Sequence, residues 1–381
     1  MKTQIKHKEE LHTLQNNSSN LKKFFVDSDI KKAETLSAEF YTSRDCYDHS
    51  KEKIFSSTWQ FVGETDNVKV SGQLFPTNML EGFLDEPILL ARDKDDSIHC
   101  ISNVCTHRGN LVVEGPCIEN TLRCRYHGRR FKLNGKFESM PEFEEVKNFP
   151  SEKDDLPKVP FGLWDKLIFA SIKPTVKLDD IIGEMKKRVG FLPLNEFKHE
   201  PVRSRDYLVK AHWSLYCENY LEGFHIPYIH PGLSGTIDYN TYTTEIYKYS
   251  SLQLALAKGG EEHFILPAGH PDFGKKVAAY YYWLFPNMMF NFYPWGLSMN
   301  VVKPLAPDLT KVSFITYIYD GTKLERGAGS ILDKVEREDE AIVELVQKGI
   351  KSRMYSGGRY SPKRETGTHH LHQLICEFMN K

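Results

Sequence analysis

The 381-residue sequence has almost no net charge and no long apolar segment. Its 50 basic and 51 acidic residues give a formal net charge of −1, so it lacks the basic surface that nucleic acids and anionic membranes select. No apolar run approaches the roughly 20 residues of a membrane-spanning helix, and the N-terminal stretch has no apolar signal-peptide core. These absences predict a soluble, cytoplasmic protein without nucleic-acid or membrane partners.

Cysteine is also sparse, with seven residues in the chain. An odd count in a cytosolic protein argues against a disulfide framework and favours thiolate ligands together with buried thiols. The sequence contains no Gly-x-Gly-x-x-Gly loop after a strand and no second cluster of cysteines, so it offers no dinucleotide site of its own. Internal repeats and low-complexity segments are absent too.

What the chain does contain is a globular composition, with 40% apolar and 27% charged residues. Its length suits two domains. We predict a tail and helix over residues 1–40, a strand-rich domain over 41–165, and a larger domain over 166–381. In the larger domain we predict a helix over 211–230 and a long amphipathic helix over 324–351, around strands rich in aromatic and β-branched residues.

The first motif pairs a cysteine with a histidine twice. Cys105 and His107 are two residues apart, and Cys124 and His127 are three apart. Two thiolates can hold one iron of a [2Fe–2S] cluster while two imidazoles hold the other. A structural zinc site is the alternative, but zinc motifs more often group like residues together, so the interleaved order favours the cluster. Cys100 and Cys117 lie outside the motif and are predicted to be buried thiols.

The second motif is Glu222-x-x-His225-x-x-x-x-His230. Two imidazoles at this spacing can occupy adjacent positions on one iron, and a carboxylate would complete a facial triad that leaves positions open for O₂ and water. Taken alone, two histidines are more often structural. The cluster motif in the same chain reverses that preference.

Both motifs have a family counterpart. CTHRGN and CRYHGRRF resemble the cluster-binding loops of Rieske proteins, and ENYLEGFHIPYIH resembles the iron-binding segment of Rieske non-haem iron oxygenase α-subunits. The resemblance implies that Cys105 and Cys124 bind one iron of the cluster and that His107 and His127 bind the other.

The resemblance also implies a mononuclear Fe(II) held by His225, His230 and an aspartate early in a C-terminal helix. Asp339 is the matching residue because of its register against Gln347 and Gly349 in the helical segment. The other carboxylates in the same acidic run are Glu336, Glu338 and Glu340. On spacing alone, a solvated charge would be the better interpretation of Asp339.

Further family features concern electron supply. The resemblance implies that Glu222 bridges the mononuclear iron to the cluster of a neighbouring subunit, with Asn219 beside the iron ligands. A homotrimer follows from a relay between subunits. Electrons from NAD(P)H would arrive through a separate flavin and iron–sulfur reductase or a ferredoxin. The implied fold is α+β: a small all-β Rieske domain and a larger α+β catalytic domain whose antiparallel sheet is covered by helices, of the helix-grip type.

The substrate is less constrained by the sequence. Residues 280–295 are unusually aromatic, and they form either sheet core or a box that binds a quaternary ammonium by cation–π contact. Because this stretch resembles choline monooxygenases and the carnitine and betaine oxygenases, we predict a small quaternary ammonium substrate oxidised with O₂. The alternatives are an oxygenase acting on an aromatic acid, a non-catalytic Rieske electron carrier, and a zinc-stabilised interaction module.

Overall fold

The computed structural model describes residues 23–230, 232, 238–324, 326–329 and 332–381. The chain divides into two compact units, which are residues 55–199 and residues 1–54 with 200–381. The domain boundaries predicted after residues 40 and 165 are a different division and stay a prediction. Most of the predicted N-terminal tail lies outside the described residues.

The helices of both units are α1 (Ala38–Thr42), α2 (Arg44–Ser50), α3 (Leu178–Val189), α4 (Trp213–Tyr220), α5 (Ile226–Ile229), α6 (Leu332–Ile350) and α7 (Thr366–Met379). No helix among the described residues is long and apolar enough to cross a bilayer.

The unit of residues 55–199 is built mainly from short strands. They are β1 (Gln60–Glu64), β2 (Gln73–Met79), β3 (Glu86–Arg92), β4 (Ile98–Ser102), β5 (Cys117–Ile118), β6 (Leu122–Arg123), β7 (Arg130–Phe131), β8 (Phe137–Ser139), β9 (Phe161–Trp164), β10 (Leu167–Ala170) and β11 (Lys198–His199). Strands β1–β10 form three antiparallel sheets in the orders β4-β3-β2-β5, β6-β7-β8 and β1-β10-β9.

Strand β3 shows how this unit is packed. Successive side chains of a strand point to opposite faces, and β3 buries both. Leu89 and Ala91 join the apolar cluster that includes Cys105 and Cys124, whereas Ile88 packs into a second cluster on the other side. The central strand thus supports the loops that carry the two cysteines.

The unit of residues 1–54 and 200–381 contains a large antiparallel sheet. Its strands are β12 (Arg205–Val209), β13 (Thr243–Ile246), β14 (Ser250–Leu256), β15 (Val277–Leu284), β16 (Met288–Tyr293), β17 (Gly296–Ala306) and β18 (Leu309–Ile318). They pair in the order β13-β14-β15-β16-β17-β18-β12. Helix α4 packs against α6, α7 and β17. This arrangement of sheet and helices confirms the predicted α+β class.

The helix predicted over residues 211–230 is wrong in its middle. Helix α4 ends at Tyr220, and the four-residue helix α5 begins at Ile226. Between them, Gly223 lies so close to the ring of Tyr242 that an added Cβ would stand 2.7 Å from Cε1. This tight turn separates Glu222 and His225 from the helix and directs the chain back across the sheet.

The long helix predicted over 324–351 is shorter at its start. Helix α6 begins at Leu332, after a short 3₁₀ turn at Gly327–Gly329. It nevertheless includes the whole acidic run, so Asp339 lies two turns into a regular helix.

Candidate metal centres and substrate cavity

The two cysteine–histidine loops have the same backbone design. The amide of Cys105 donates to the carbonyl of Asn110 at 2.8 Å, and the amide of Gly109 donates back to the carbonyl of Cys105 at 3.0 Å. In the second loop, Cys124 and Gly128 make the equivalent two bonds, at 2.9 and 3.0 Å. Both glycines have a positive φ, 72° and 76°, which other residues rarely adopt. The glycine that follows each pair is therefore required by the turn.

The four side chains of the motif lie together at the loop tips. Both cysteines are buried, with 3% and 2% of their surface exposed, while the His107 and His127 rings lie further out with centroids 4.7 Å apart. The Asn110 amide donates to the Cys124 sulfur at 3.7 Å. Sulfur ligands inside and imidazoles outside match the two sides of a cluster held by Cys₂ and His₂.

A single zinc ion fits this arrangement poorly. Ligands of one tetrahedral zinc, with bonds of about 2.0–2.3 Å, lie less than about 4 Å from one another. Within the described ranges, the one group of three or more ligand atoms all within 4.8 Å is elsewhere, at His225, His230 and Asp339. The wider spread of the four motif side chains suits two irons better than one metal.

A buried cation supports both loops. Arg129 is 2% exposed, and its Nη2 donates to Oδ1 and the carbonyl of Asp154 at 2.7 and 3.1 Å. Thr106, in the other loop, donates to the same carbonyl at 2.8 Å. The guanidinium also lies 4.9 Å from the ring centroid of Phe137. Burial alone would raise the pKa of Asp154, but the bonds from Arg129 and Ser151 lower it.

We expect Arg129→Met to loosen the cluster loops. Removing one partner of a buried pair costs roughly 3 kcal/mol, and here it also breaks the link between the loops. The variant should lose visible cluster absorbance at a lower temperature than the wild type. Arg130→Met is the control, because the neighbouring arginine is exposed. Equal melting of the two variants would contradict the role of Arg129.

The second site brings together residues from three segments. His225 follows the turn after α4, His230 follows α5, and Asp339 lies on α6. Oδ1 of Asp339 is 3.4 Å from Nε2 of His225 and 3.0 Å from Nε2 of His230. These ligand atoms all lie within 4.8 Å of one another, as two imidazoles and a carboxylate around one iron require. The residues therefore fit a mononuclear iron, and their role as its ligands stays a proposal.

The outer nitrogen of each imidazole has a carboxylate partner. Nδ1 of His225 is 2.6 Å from Oε1 of Glu222, and Nδ1 of His230 is 2.8 Å from Oε2 of Glu338. Such partners fix the tautomer of a ligand histidine and leave Nε2 free for the metal. Burial opposes protonation of His230, but the bonds to Asp339 and Glu338 outweigh it and raise the pKa. A metal bound at Nε2 would compete with a proton for that nitrogen.

The other predicted residues of this site also have defined places. The Asn219 amide donates to Oδ1 of Asp339 at 2.7 Å, so it orients the carboxylate. Glu222 lies on the far side of His225 from Asp339, and its second oxygen accepts the backbone N–H groups of Phe224 and His225. Of the four acidic candidates on α6, Asp339 is the one grouped with both histidines. Glu338 was an alternative ligand on sequence grounds. It instead contacts Nδ1 of His230, while Nε2 of that ring faces Asp339.

A cavity of about 110 Å³ adjoins these residues. One wall consists of the helices and the turn that carry His225, His230 and Asp339. The opposite wall is the sheet, where the strand register places Gln253, Tyr281 and Asn291 opposite one another on β14, β15 and β16. Asn300 and Phe314 are paired with each other on β17 and β18 and also line the cavity, two residues along from Ser298, the partner of Asn291.

The aromatic stretch 280–295 is divided between core and cavity. Of its rings, those of Tyr281 and Tyr293 line the cavity, and their centroids are 5.8 Å apart. The even-numbered Tyr280 and Tyr282 are fully buried and do not line it. Alternation along the strands thus places some of these rings in the core and others at the cavity, and the binding of a quaternary ammonium there stays a prediction.

The cavity rings belong to a tyrosine cluster consisting of Tyr220, Tyr242, Tyr281 and Tyr293. Burial raises the pKa of Tyr281 to about 12 and raises the pKa of the other three further, so all four phenols are neutral. The carboxyl groups at the cavity are those of Glu222, Glu336 and Asp339. Among the described residues that line it there is no lysine or arginine.

Several of these residues escaped sequence reasoning. Gln253, Asn291 and Asn300 are polar residues within otherwise apolar strands, which was an available signal. Glu336 lies one helical turn before Asp339, so its proximity could have been predicted from helical spacing. Cys117 is exposed and not buried as predicted, because β5 lies at the edge of its sheet, whereas Cys100 is buried.

Two family models match the chain. The Rieske [2Fe-2S] domain matches residues 58–150, and the catalytic domain of the ring hydroxylating alpha subunit matches residues 197–381. The chain therefore belongs to the α-subunits of the Rieske non-haem iron oxygenases. It is an oxygen-using oxidoreductase with a [2Fe–2S] cluster and a mononuclear iron, and this confirms the predicted family, enzyme class and cofactors.

Its relatives include the chloroplastic choline monooxygenase of Arabidopsis thaliana, 28% identical over 365 residues that cover 91% of this chain and 83% of that protein. The carnitine monooxygenase oxygenase subunit of Escherichia coli (strain K12) is 28% identical over 364 residues, 91% of this chain and 94% of the subunit.

Solved structures share the fold. The quaternary ammonium Rieske monooxygenase CntA has a TM-score of 0.74 at 21% identity, covering 93% of this chain and 99% of CntA. Naphthalene 1,2-dioxygenase from Rhodococcus sp. has a TM-score of 0.73 at 17% identity, covering 97% of both chains. The predicted fold of a Rieske domain with an α+β catalytic domain is thereby confirmed.

Proposed function

We propose that this oxygenase hydroxylates a small quaternary ammonium compound of the choline, betaine or carnitine type. The observation that carries the proposal is the composition of the cavity wall. Aromatic faces and carboxyl groups line the cavity, and the described lining residues include no lysine or arginine. Aromatic faces attract a cation that has no N–H groups to donate, and buried carboxylates favour its charge.

The same wall argues against the aromatic-acid alternative. A buried substrate carboxylate needs an arginine, a lysine or several N–H donors. The described part of the lining has side-chain amides at Asn219, Gln253, Asn291 and Asn300. The first three of these amides already donate to protein groups. The Gln253 amide, for example, donates to the carbonyl of Tyr220 at 2.5 Å.

Cavity size is compatible with this substrate class. The volume of about 110 Å³ is on the order of ten times the 10–15 Å³ that one water occupies by a comparable measure. A substrate with roughly ten heavy atoms, such as choline, betaine or carnitine, fits such a space. The names of the choline and carnitine monooxygenase relatives support the same substrate class.

The residues then have distinct tasks. Cys105, His107, Cys124 and His127 hold the cluster, and His225, His230 and Asp339 hold the iron. When bound, the cluster supplies single electrons and the iron supplies the oxygen-activating centre. The overall reaction consumes one O₂, two electrons and two protons, and it converts a substrate C–H bond to C–OH with release of one water. The tyrosine cluster holds the ammonium group, and the apolar wall excludes bulk water.

Electron supply requires partners. We infer that a separate flavin and iron–sulfur reductase or a ferredoxin delivers electrons from NAD(P)H to the cluster. Glu222 then connects His225 to the cluster of a neighbouring subunit in a homotrimer. Support comes from the 2.6 Å contact between Glu222 and His225 and from a quaternary ammonium Rieske monooxygenase of the same fold, whose structure gives insight into inter-subunit electron transfer.

The test is O₂ uptake with a surrogate reductase and a panel of choline, glycine betaine, carnitine and benzoate. We expect uptake coupled to betaine aldehyde, formaldehyde or another oxidation product of an ammonium substrate. The matched control is 3,3-dimethyl-1-butanol, the neutral carbon isostere of choline. Because cation–π attraction is worth about 1–2 kcal/mol in a buried site, the isostere should bind roughly tenfold more weakly. Turnover of benzoate to a diol or phenol would overturn the proposal.

A further inference from the structure

Glu336 is a buried carboxyl group in the cavity wall. It is not a proposed ligand of either metal centre. Its side chain lines the cavity and the residue is 4% exposed. Oε2 accepts a hydrogen bond from the hydroxyl of Tyr216 at 2.7 Å, whereas Oε1 is buried and has no hydrogen-bond partner among the described residues. Buried polar atoms are nearly always paired, so an unpaired oxygen at a cavity wall requires an explanation.

No described residue around Glu336 provides a hydrogen-bond partner for Oε1. The carboxyl groups that act on it electrostatically are those of Asp339, Glu340 and Asp333, which would carry the same charge. Burial raises the pKa of Glu336, and these neighbours raise it further. Glu336 is also outside the metal group, which comprises His225, His230 and Asp339. Because its side chain lines the cavity, a molecule that enters the cavity can supply the partner.

We propose that Glu336 recognises a hydroxyl group of the substrate through Oε1 and so makes the enzyme selective for quaternary ammonium alcohols. This inference rests on the proposed function, because it assumes that the substrate has a quaternary ammonium group. It adds that Glu336 binds a hydroxyl at the other end of that substrate. It gives the two ends of the cavity different tasks, with tyrosine faces for the methyl groups and a carboxyl for the hydroxyl.

A hydroxyl is the group that fits Oε1 in either protonation state of Glu336. If the carboxyl is ionised, Oε1 needs a donor, and if Oε1 carries the proton, it needs an acceptor. A hydroxyl is both donor and acceptor. A quaternary ammonium group is neither, and a substrate carboxylate would be repelled by the ionised form. The helical spacing of Glu336 and Asp339 places both on one face of α6, so the hydroxyl end would lie beside the iron ligands.

The test compares two ligands on the oxidised holoenzyme by anaerobic calorimetry. Choline carries the hydroxyl, and propyltrimethylammonium has a methyl group in its place with nearly the same volume. We expect the wild type to prefer choline by roughly tenfold or more, as for a hydrogen bond to a charged group. In Glu336→Leu the preference should fall to near one. Glu336→Gln keeps a hydrogen-bond donor and an acceptor at the same place, so it should retain part of the preference for choline.

Glu340→Gln is the matched control, because Glu340 lies on the same helix but does not line the cavity. Its preference for choline should equal that of the wild type. Equal affinities of the wild type for the two cations would overturn the assignment of Glu336 while leaving the proposed substrate class intact. If neither cation binds, the proposed quaternary ammonium substrate class is refuted, and the assignment of Glu336 is refuted with it. A Glu336→Leu variant with an undiminished preference for choline would also refute the assignment.

Discussion

Replacing Glu222 with glutamine should leave both metal centres loaded and stop most of the turnover. Oε1 of Glu222 lies 2.6 Å from Nδ1 of His225, and the carboxylate is mostly buried, with 14% of its side chain exposed. Glutamine has almost the same shape, but it carries no charge and accepts hydrogen bonds through one oxygen only. We expect turnover to fall roughly 10- to 100-fold, as for other partners of ligand histidines.

The measurement combines iron and sulfide analysis with O₂ uptake and with the rate at which a pre-reduced cluster is reoxidised in one turnover. Slow reoxidation at full metal content supports the bridge. Glu338→Gln is the matched control, since Glu338 makes the same contact with His230. That variant should retain iron to the same extent as Glu222→Gln, but it should reoxidise the cluster at the wild-type rate. An unchanged rate in Glu222→Gln would refute the relay.

Replacing Asp339 with alanine should remove the mononuclear iron and spare the cluster. Oδ1 of Asp339 lies close to both ligand nitrogens and to the Asn219 amide, so its loss leaves two neutral imidazoles to hold a divalent ion. Iron should fall from about three to about two atoms per chain, with about two sulfides retained. Turnover should fall with the iron content to near background.

The companion variant is Glu340→Gln, which changes the next carboxylate of α6 without touching the cavity. It should retain about three irons. If Asp339→Ala kept its iron and activity, the third ligand would have to be one of the neighbouring carboxylates. The same analysis tests the zinc alternative for the first motif, because a zinc site would contain no sulfide.

How far the sequence could predict this site depended on how local each feature is. The Cys105 and Cys124 loops are short segments whose ligands are close in sequence, and their chemistry alone predicted a cluster. Asp339 is about a hundred residues from the histidines, and helical spacing could not separate it from Glu336 or Glu338. The family resemblance chose it, and the structure groups it with His225 and His230.

Other features were set by packing between distant parts of the chain. The interruption after Tyr220 depends on the ring of Tyr242 lying against Gly223, a contact that no helical propensity encodes. The place of Tyr281 in the cavity depends on its register with Gln253 and Asn291 on adjacent strands. A shift of one residue would have turned the opposite face of β15 to the cavity.

The two walls of the cavity also differ in how many mutations they can accept without loss of the iron. Helices and one turn provide every proposed iron ligand, whereas strands β14–β18 provide lining residues from Gln253 to Phe314. A mutation on the sheet can therefore change substrate selection without displacing a metal ligand. In directed evolution, libraries at Gln253, Tyr281, Asn291 and Asn300 should yield altered specificities while preserving oxidative capacity. Changes at Tyr220 or Glu336 would be less separable from the iron site, because these two residues lie on the helices of the other wall.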